Sequence, residues 1–378
     1  MSKTKKLLGE GAYGCVFDSP LECINGKQKK KIKGKVGKVF SDEKYAKQEI
    51  EIYNVLDNIT ELKKYIITST YNCDVAKKSI PEQCTSIHDE ENEKDTFKQL
   101  TLGPKGLDLM KYCNDSSFQF LDLLPGFINI ARALVILEEN KFCHHDIKPD
   151  NIIMIKKKMV LIDFGSSLKY DDIFKYEINM NKWSSAYMQK YPYYPPEIYC
   201  CRLMSDGFYA LNYNDLEKMV EGEIIDRLHK TIENIVEDIG YSVIERDAHI
   251  KIFNEYYLKL QNTLKDSIKP WEMKTQNSKK YLHEQYTKYC ANKVDVYSFG
   301  ITMLQVFTHT NCMIEKVEPR VVNNIVGIIK GCLYYNPVNR LSPIQLRDRL
   351  IEIQRLIKKP KNRKRHVIKT FKSPKIHD

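Results

Sequence analysis

Hydrophobic residues recur at helical spacing in four stretches of the chain, and alternate in a fifth. Residues 46–56 carry an apolar stripe that predicts an amphipathic helix. The same spacing runs through 216–239, through a stretch near 250–268 and again through 350–357. Residues 35–40 instead favour a strand, in which Val36 and Lys38 would share one face. The pattern therefore predicts a strand before the first helix and mostly helices in the second half.

Length and hydropathy limit the class of protein. A chain of 378 residues with 42% hydrophobic content is long enough to form two lobes with buried cores. We find no apolar run that approaches the eighteen or so residues of a membrane span, so we expect none. The N-terminal residues lead straight into a glycine-rich segment, which leaves no room for a signal peptide.

Two short segments carry polar residues at a distinctive spacing. Residues 144–151 read His-His-Asp-Ile-Lys-Pro-Asp-Asn, and residues 163–165 read Asp-Phe-Gly. Together they resemble the catalytic loop and metal-binding loop of protein kinases, whose chemistry needs one carboxylate for the attacking hydroxyl and oxygen ligands for Mg²⁺. The resemblance implies that Asp146 receives the substrate hydroxyl, Lys148 contacts the transferred phosphate, and Asn151 and Asp163 bind Mg²⁺.

The glycine-rich segment at 8–16 fits the G-x-G-x-x-G-x-V loop of the same family. Glycines let the backbone approach phosphates without a Cβ in the way. Alone this signal is weak, because a dinucleotide-binding turn or a hairpin can look alike. Its place ahead of a candidate strand and the catalytic loop favours the kinase interpretation. The ATP-binding residues implied here are Leu8, Gly9, Glu10, Gly11, Ala12, Tyr13, Gly14, Cys15 and Val16.

The next strand and helix supply the other ATP contacts that the resemblance implies. Lys38 is the expected phosphate-binding lysine, although several lysines precede it, and Val36 would lie beside the adenine. The helix resembles the family's E-I-x-I-x-x-x-L pattern and places Glu49 opposite Lys38, with Glu51 as the alternative. Leu102 is the expected hinge contact.

Later motifs extend the resemblance toward the end of the chain. Residues 194–197, Tyr-Pro-Pro-Glu, resemble the Ala-Pro-Glu that closes the activation segment. Asp295 would hold the backbone of the catalytic loop, and Arg340 would form a buried structural ion pair with Glu197. The sequence is identified as a member of the protein kinase superfamily. This implies an α+β, two-lobed fold, with the β-rich N-lobe and hinge over 1–103 and the helical C-lobe over 104–350.

The hinge region narrows the resemblance. Residues 102–113, Leu-Gly-Pro-Lys-Gly-Leu-Asp-Leu-Met-Lys-Tyr-Cys, are similar to the hinge of casein kinase I-like enzymes, as is the Asp-Ile-Lys-Pro-Asp-Asn of the catalytic loop. In that register the hinge is 100–103 and Gln99 is the gatekeeper. The activation segment and the region beyond it do not follow that family. We therefore interpret the chain as a divergent relative, with origin in a large DNA virus as a hypothesis.

Three positions in the motifs bear on regulation and substrate. His145 replaces the arginine that usually holds a phosphorylated activation loop, which predicts activity without that phosphorylation. Lys190 stands about where Ser/Thr kinases keep a threonine, which leaves substrate choice open. Lys148 favours serine or threonine over tyrosine as the acceptor.

Two insertions and a tail depart from the family pattern. Residues 68–96 are polar and acidic and predict an exposed N-lobe loop. An insertion at about 199–290 predicts extra C-lobe helices, or alternatively a docking surface. Of the net charge of +11, residues 351–378 contribute ten Lys/Arg against two acidic residues. That basic tail is expected to be disordered and is either simply solvated or a contact for nucleic acid or another polyanion.

The cysteines suggest a cellular compartment. Eleven are scattered without a C-x-x-C pair, which favours free thiols in a reducing, intracellular location, either cytoplasm or nucleus, or a virion if the origin is viral. Cys15 is interpreted as a small strand residue, with oxidation or alkylation as the alternative.

The combined prediction is a monomeric, ATP- and Mg²⁺-dependent Ser/Thr kinase that acts on protein substrates. One alternative is a pseudokinase scaffold, but Lys38, Asp146, Asn151 and Asp163 are all present, and scaffolds usually lose one. Another is a small-molecule phosphotransferase, against which Lys148-Pro149 and the Ala-Pro-Glu-like closure count.

Overall fold

A computed structural model describes eleven stretches of the chain and supports an N-terminal sheet lobe followed by a helical lobe. The stretches are 5–11, 13–26, 33–89, 92–114, 120–179, 193–195, 198, 283–284, 286–308, 318–334 and 337–358. The predicted helices at 216–239 and 250–268, Lys190, Glu197 and the tail beyond 358 lie outside these stretches.

The N-lobe is built on a five-stranded antiparallel sheet in the order β1-β2-β3-β5-β4. Its strands are β1 (Leu7–Gly11), β2 (Gly14–Phe17), β3 (Val36–Phe40), β4 (Ser69–Ala76) and β5 (Thr96–Leu102). Val16 lies opposite Lys38, Lys38 opposite Leu100, and Val36 opposite Leu102. Directly paired residues point to the same face of a sheet. These five side chains therefore share one face, as the alternation of Val36 and Lys38 predicted.

The opposite face of the sheet is covered by part of residues 68–96. The prediction that these residues form an exposed loop is wrong. After β4 the chain forms a 3₁₀ turn and a short helix α2 (Thr85–His88). Ile80, Cys84 and Ile87 are buried against residues of the sheet's outer face. Most residues around these three are polar, so the average composition of the segment did not indicate that it contains buried positions.

Helix α1 (Glu43–Leu56) is capped at its N-terminus by Asp42, whose carboxylate accepts a hydrogen bond from the Lys44 amide. Such a cap satisfies one of the free amides at the start of a helix. Its buried face comprises Ala46, Glu49, Ile52, Tyr53 and Leu56. The predicted amphipathic helix is confirmed, with a carboxylate on its buried side.

Two disulfide bonds cross the N-lobe, Cys15–Cys84 and Cys23–Cys73. The expectation that the cysteines are free thiols is therefore wrong for these four. The partners are 69 and 50 residues apart, and no spacing motif marks them. In the described part of the C-lobe, Cys113, Cys143, Cys290 and Cys332 are buried thiols, as expected.

The C-lobe is organised around helix α4 (Phe120–Glu139). Around it lie α3 (Leu109–Cys113), α5 (Tyr170–Asn179), α6 (Val294–Thr308), α7 (Pro319–Cys332) and α8 (Pro343–Lys358). Two small antiparallel sheets carry the loops of the site. They are β6 (Leu107–Asp108) with β8 (Ile152–Ile155) and β9 (Lys158–Leu161), and β7 (Phe142–Cys143) with β10 (Leu168–Lys169). The N-lobe sheet and the helices after it form the α+β, two-lobed architecture that the motifs implied.

Helix α4 is long and apolar enough to cross a membrane by length and composition, so the expectation that no such run exists is wrong. Most of it is buried inside the lobe, where Phe127 and Leu134 belong to the main hydrophobic cluster. A core helix of a folded domain passes the same test, and the burial supports that interpretation of α4.

Helix α8 extends past the predicted end of the C-lobe at residue 350. It continues to Lys358, and Ile353 is as fully buried as Leu350. The helical spacing over 350–357 is thus confirmed, and residues 351–358 belong to the lobe.

Candidate active site

A buried lysine connects the two lobes at the cleft. Lys38 Nζ lies 2.7 Å from Glu49 Oε2 and 2.7 Å from Asp163 Oδ1. Strand β3 supplies the lysine, α1 supplies Glu49, and the loop after β9 supplies Asp163. Glu51 is exposed, so the structure selects Glu49 from the two candidates.

The three charges in this cluster shift one another's pKa values. Burial alone would lower the pKa of Lys38, but the Asp163 and Glu49 carboxylates outweigh it and raise that pKa. Burial raises the pKa of Glu49 against the attraction of Lys38, whereas for Asp163 the nearby cations outweigh burial and hold its pKa below the usual value. One ammonium therefore faces two carboxylates. A divalent cation at Asp163 would be attracted by the negative charge that Lys38 leaves uncompensated.

The catalytic loop brings three predicted residues together. Lys148 Nζ lies 3.0 Å from Asp146 Oδ2. The Asn151 amide nitrogen donates 2.8 Å hydrogen bonds to both Oδ2 and the backbone carbonyl of Asp146. Burial raises the pKa of Asp146, and Lys148 opposes that shift. The Asn151 amide and the Lys148 ammonium thus hold the same carboxylate oxygen of Asp146.

Asp295 fastens the start of this loop, as predicted. Its carboxylate accepts hydrogen bonds from the backbone amides of His144, at 2.7 Å, and His145, at 2.9 Å. His145 has a φ of +67°, a left-handed conformation that is uncommon for a side chain of this size. A backbone conformation of this kind costs about 1–3 kcal/mol and persists only where neighbouring groups hold it. At His145, the hydrogen bond to the Asp295 carboxylate is such a restraint.

Behind Asp163, a column of rings holds the loop inward. Phe164 is fully buried, with ring centroids 4.5 Å from His144 and 6.2 Å from Tyr53. A ring nitrogen of His144, Nε2, lies 3.0 Å from the Ile162 carbonyl. Sequence reasoning missed Tyr53 and His144. The only signal was that Tyr53 follows Glu49 by one helical turn.

The glycine-rich loop is a hairpin of β1 and β2, in which Gly11 lies opposite Gly14. Gly14 has a φ of +139°, and a Cβ there would lie 2.0 Å from the Val39 carbonyl oxygen, so only glycine fits. A Cβ on Gly9 would meet nothing within 4 Å, and the same holds for Gly11, which leaves that part of the hairpin open to a ligand.

The side chains of the loop divide between the two faces. Leu8 is exposed, and the exposed Tyr13 ring lies 4.3 Å from that of Tyr45 on α1. Val16 faces the cleft, whereas Cys15 points to the opposite face and forms its disulfide there. Cys15, which the resemblance placed among the ATP-binding residues, therefore turns its side chain away from the cleft. Ala12 lies outside the described residues.

The gatekeeper assignment to Gln99 is also wrong. Gln99 lies opposite Val39 on the outer face, where its Oε1 accepts from the Leu21 amide at 2.7 Å and its Nε2 donates to the Leu21 carbonyl at 3.1 Å. Leu100, opposite Lys38, occupies the cleft face instead. The hinge register taken from the casein kinase I resemblance was off by one residue, because it could not show which face each residue takes.

The family model described as "Protein kinase domain" matches residues 2–200, slightly more than half of the chain. The chain belongs to this family. The match covers the glycine-rich loop, Lys38, Glu49, the catalytic loop and Asp163. Asp295 and Arg340 lie beyond it, so helix α6 of this kinase, outside the matched segment, supplies the carboxylate that holds the catalytic loop.

Arg340 is buried in the C-lobe of the kinase. Its Nε donates to the Tyr334 carbonyl at 2.7 Å, one Nη donates to the Lys293 carbonyl at 3.2 Å, and its guanidinium lies 5.1 Å from the Tyr297 ring centroid. The ion pair with Glu197 stays a prediction, because Glu197 is outside the described residues.

The residues present fit a magnesium ion beside a nucleotide. The Asn151 amide nitrogen is engaged with Asp146, which leaves the amide oxygen as its possible metal ligand. That oxygen and the Asp163 carboxylate are the hard oxygen ligands that Mg²⁺ prefers. Asn151 and Asp163 of the kinase are therefore two ligands suitable for Mg²⁺.

Proposed function

We propose that the protein is an active kinase that transfers the γ-phosphate of ATP to serine or threonine hydroxyls of proteins. The observation that carries this proposal is the bridge from Lys38 to both Glu49 and Asp163, at 2.7 Å each. In protein kinases the lysine–glutamate pair and the Asp-Phe-Gly aspartate must both be in place for catalysis.

Each residue of the site has a role in this reaction. Val16, Val36, Leu100 and Leu102 would enclose the adenine, and Lys38 would bind the nucleotide phosphates. Mg²⁺, held by Asn151 and Asp163, would neutralise charge on those phosphates. Asp146 would orient the acceptor hydroxyl and receive its proton. Lys148, 3.0 Å from Asp146, would contact the phosphoryl group as it moves.

The acceptor class rests on Lys148 and its neighbours. The Lys-Pro sequence at 148–149 is typical of Ser/Thr kinases. The hinge sequence supports a distant relationship to casein kinase I-like enzymes, with viral origin as a further hypothesis. The complete set of charged residues argues against a pseudokinase scaffold. Lys148-Pro149 and the Ala-Pro-Glu-like sequence at 194–197 argue against a small-molecule phosphotransferase.

A degenerate peptide library with labelled ATP tests the function. We expect label on phosphoserine or phosphothreonine after acid hydrolysis, and none when EDTA removes Mg²⁺. Label on phosphotyrosine would contradict the acceptor class. ATP binding without any transfer would favour the scaffold, and transfer to aminoglycosides in place of peptides would favour the other alternative.

A further inference from the structure

Helix α2 contacts both strands of the glycine-rich hairpin. On β1, Glu10 Oε1 accepts hydrogen bonds from the Ser86 amide at 2.6 Å and from Thr85 Oγ1 at 3.0 Å. On β2, Cys15 forms the disulfide with Cys84, the residue before α2. Both strands of the loop are therefore fastened to the same short segment.

One contact is covalent and buried, the other is hydrogen-bonded and exposed, and both join the hairpin to the α2 segment. Cys15 and Cys84 are fully buried in a cluster with Val39 and Ile87, so the covalent link is shielded from water. Glu10 is exposed, and its pKa is lowered chiefly by the hydrogen bond from the Ser86 backbone, which shows that the contact favours the carboxylate. The cluster packs α2 on the sheet, and the two links extend that packing to the loop.

We propose that α2 is a brace that positions the glycine-rich loop for the nucleotide, and that the Cys15–Cys84 disulfide makes this brace sensitive to reduction. The proposal rests on the proposed function to the extent that ATP binds under the loop. Pre-organising a binding loop lowers the entropy lost when the ligand binds. Releasing the brace should therefore weaken nucleotide binding more than it slows phosphoryl transfer.

The redox step requires an external dithiol. Because both sulfur atoms are buried, the reagent reaches them when α2 opens locally from the sheet. One thiolate of the dithiol then attacks a sulfur of the Cys15–Cys84 bond and releases the other cysteine as a thiolate, which takes up a proton. The second thiol of the reagent then displaces the remaining protein cysteine from the mixed disulfide. The dithiol is oxidised to its cyclic disulfide, and Cys15 and Cys84 are each reduced to a thiol.

The chain provides a matched control. Cys23–Cys73 is also an N-lobe disulfide, but it joins the segment after β2 to β4 and has no residue in the β1–β2 hairpin. Strand β2 pairs with β1 and β3 whether or not Cys15 is oxidised, so the hairpin should stay in the sheet after reduction. Removing each disulfide in turn therefore distinguishes an effect on the position of the loop from an effect on the stability of the whole N-lobe.

The test measures nucleotide affinity, steady-state kinetics and hydrogen exchange on the full chain. Peptide mapping without reductant should first show the Cys15–Cys84 link. In the Cys15→Ser/Cys84→Ser variant, we expect the Kd and KM for ATP to rise threefold or more, kcat to change less than twofold, and amides of residues 7–17 to exchange faster. Dithiothreitol should give the same shift in the wild type and in Cys23→Ser/Cys73→Ser, but no further shift in the first variant.

Glu10 provides a second arm that does not depend on sulfur chemistry. Glu10→Ala should raise the Kd for ATP, and Glu10→Gln, which keeps an acceptor oxygen for Thr85 and Ser86, should restore most of the affinity. If reduction changed neither the affinity for ATP nor the amide hydrogen exchange of residues 7–17, the proposal that α2 positions the loop would be wrong. If peptide mapping did not show the Cys15–Cys84 disulfide, the proposed sensitivity to reduction would be wrong. If the wild type bound no ATP, the proposed function would fail, while the exchange measurement would still decide whether α2 restrains the loop.

Discussion

Tyr53 donates a 3.0 Å hydrogen bond from its phenol to Glu49 Oε1, one turn earlier in the same helix. Lys38 holds the other oxygen of that carboxylate at 2.7 Å. The Tyr53 ring also lies edge-on to Phe164, which follows Asp163. One side chain thus couples the position of α1 to the loop that carries Asp163.

We predict that Tyr53→Phe lowers kcat/KM by roughly 10-fold while leaving the fold intact. The ring keeps its packing, but Glu49 loses a buried hydrogen bond of the charged kind, which contributes about 1.5–3 kcal/mol. Steady-state kinetics and thermal unfolding measure the two effects. Tyr65→Phe, which removes a phenol elsewhere in the same hydrophobic environment, is the control and should behave as wild type. Equal activity of the two variants would show that the Tyr53 hydroxyl has no role.

The register of β5 leads to opposite predictions for two adjacent residues. Leu100→Ala should enlarge the cleft and admit an ATP analogue with a bulky group on the adenine N6 that the wild type rejects. Gln99→Ala should not, because that side chain faces Leu21. It should instead lower the free energy of unfolding by about 1–3 kcal/mol for each Leu21 group left unsatisfied. Competition binding and chemical denaturation test both, and analogue binding by Gln99→Ala would favour Gln99 as the gatekeeper after all.

Asp146→Asn should leave folding and ATP affinity nearly unchanged and reduce phosphoryl transfer by about 10²–10⁴-fold. The carboxylate is oriented by Asn151 and Lys148 and acts on the acceptor hydroxyl, not on the nucleotide. Single-turnover assays and nucleotide titration separate the two steps. Wild-type turnover by the variant would contradict the assignment of Asp146.

Activity should not depend on phosphorylation of the activation segment. His145 stands where most kinases carry an arginine for that phosphate, and its ring is buried with centroids 5.1 Å from Tyr194 and 5.8 Å from Tyr176. A packed imidazole cannot replace the fixed charge and fork of an arginine. Treatment with a broad phosphatase, with mass spectrometry to confirm dephosphorylation, should leave the rate within twofold. A steep fall would contradict this prediction.

The sequence allowed prediction of the polar residues that meet in the cleft, but of fewer of the residues that hold them in place. Asp146, Asn151, Asp163 and Lys38 stand in motifs whose order and spacing are rarely found by chance, and the structure brings them to one cleft. Tyr53 was missed because its role needs the helix and the Phe164 ring together. Its hydroxyl has no pattern of its own in the sequence.

The predictions were wrong where the result depended on which face of the sheet a residue takes, or on a contact with a residue far away in the sequence. Gln99 and Leu100 are adjacent, so a register error of one residue exchanges the cleft for the outer face. Cys15 and Cys84 are 69 residues apart, and only the fold brings their sulfur atoms together. The segment at 68–96 has the composition of a loop, yet Ile80, Cys84 and Ile87 are enough to anchor it on the sheet.

The last prediction compares two truncations of the basic C-terminal region. Ending the chain after Lys358 removes eight Lys/Arg and one acidic residue but keeps the whole of α8. We expect unchanged peptide phosphorylation and weaker retention on heparin, with a difference that shrinks as salt rises, because polyanion contacts release counterions. Ending the chain after Leu350 also removes buried Ile353 and should lower the unfolding temperature and the turnover. If the chain ending at Lys358 lost turnover but kept its heparin retention, the region beyond α8 would belong to the fold, and its charge would have no part in recognition.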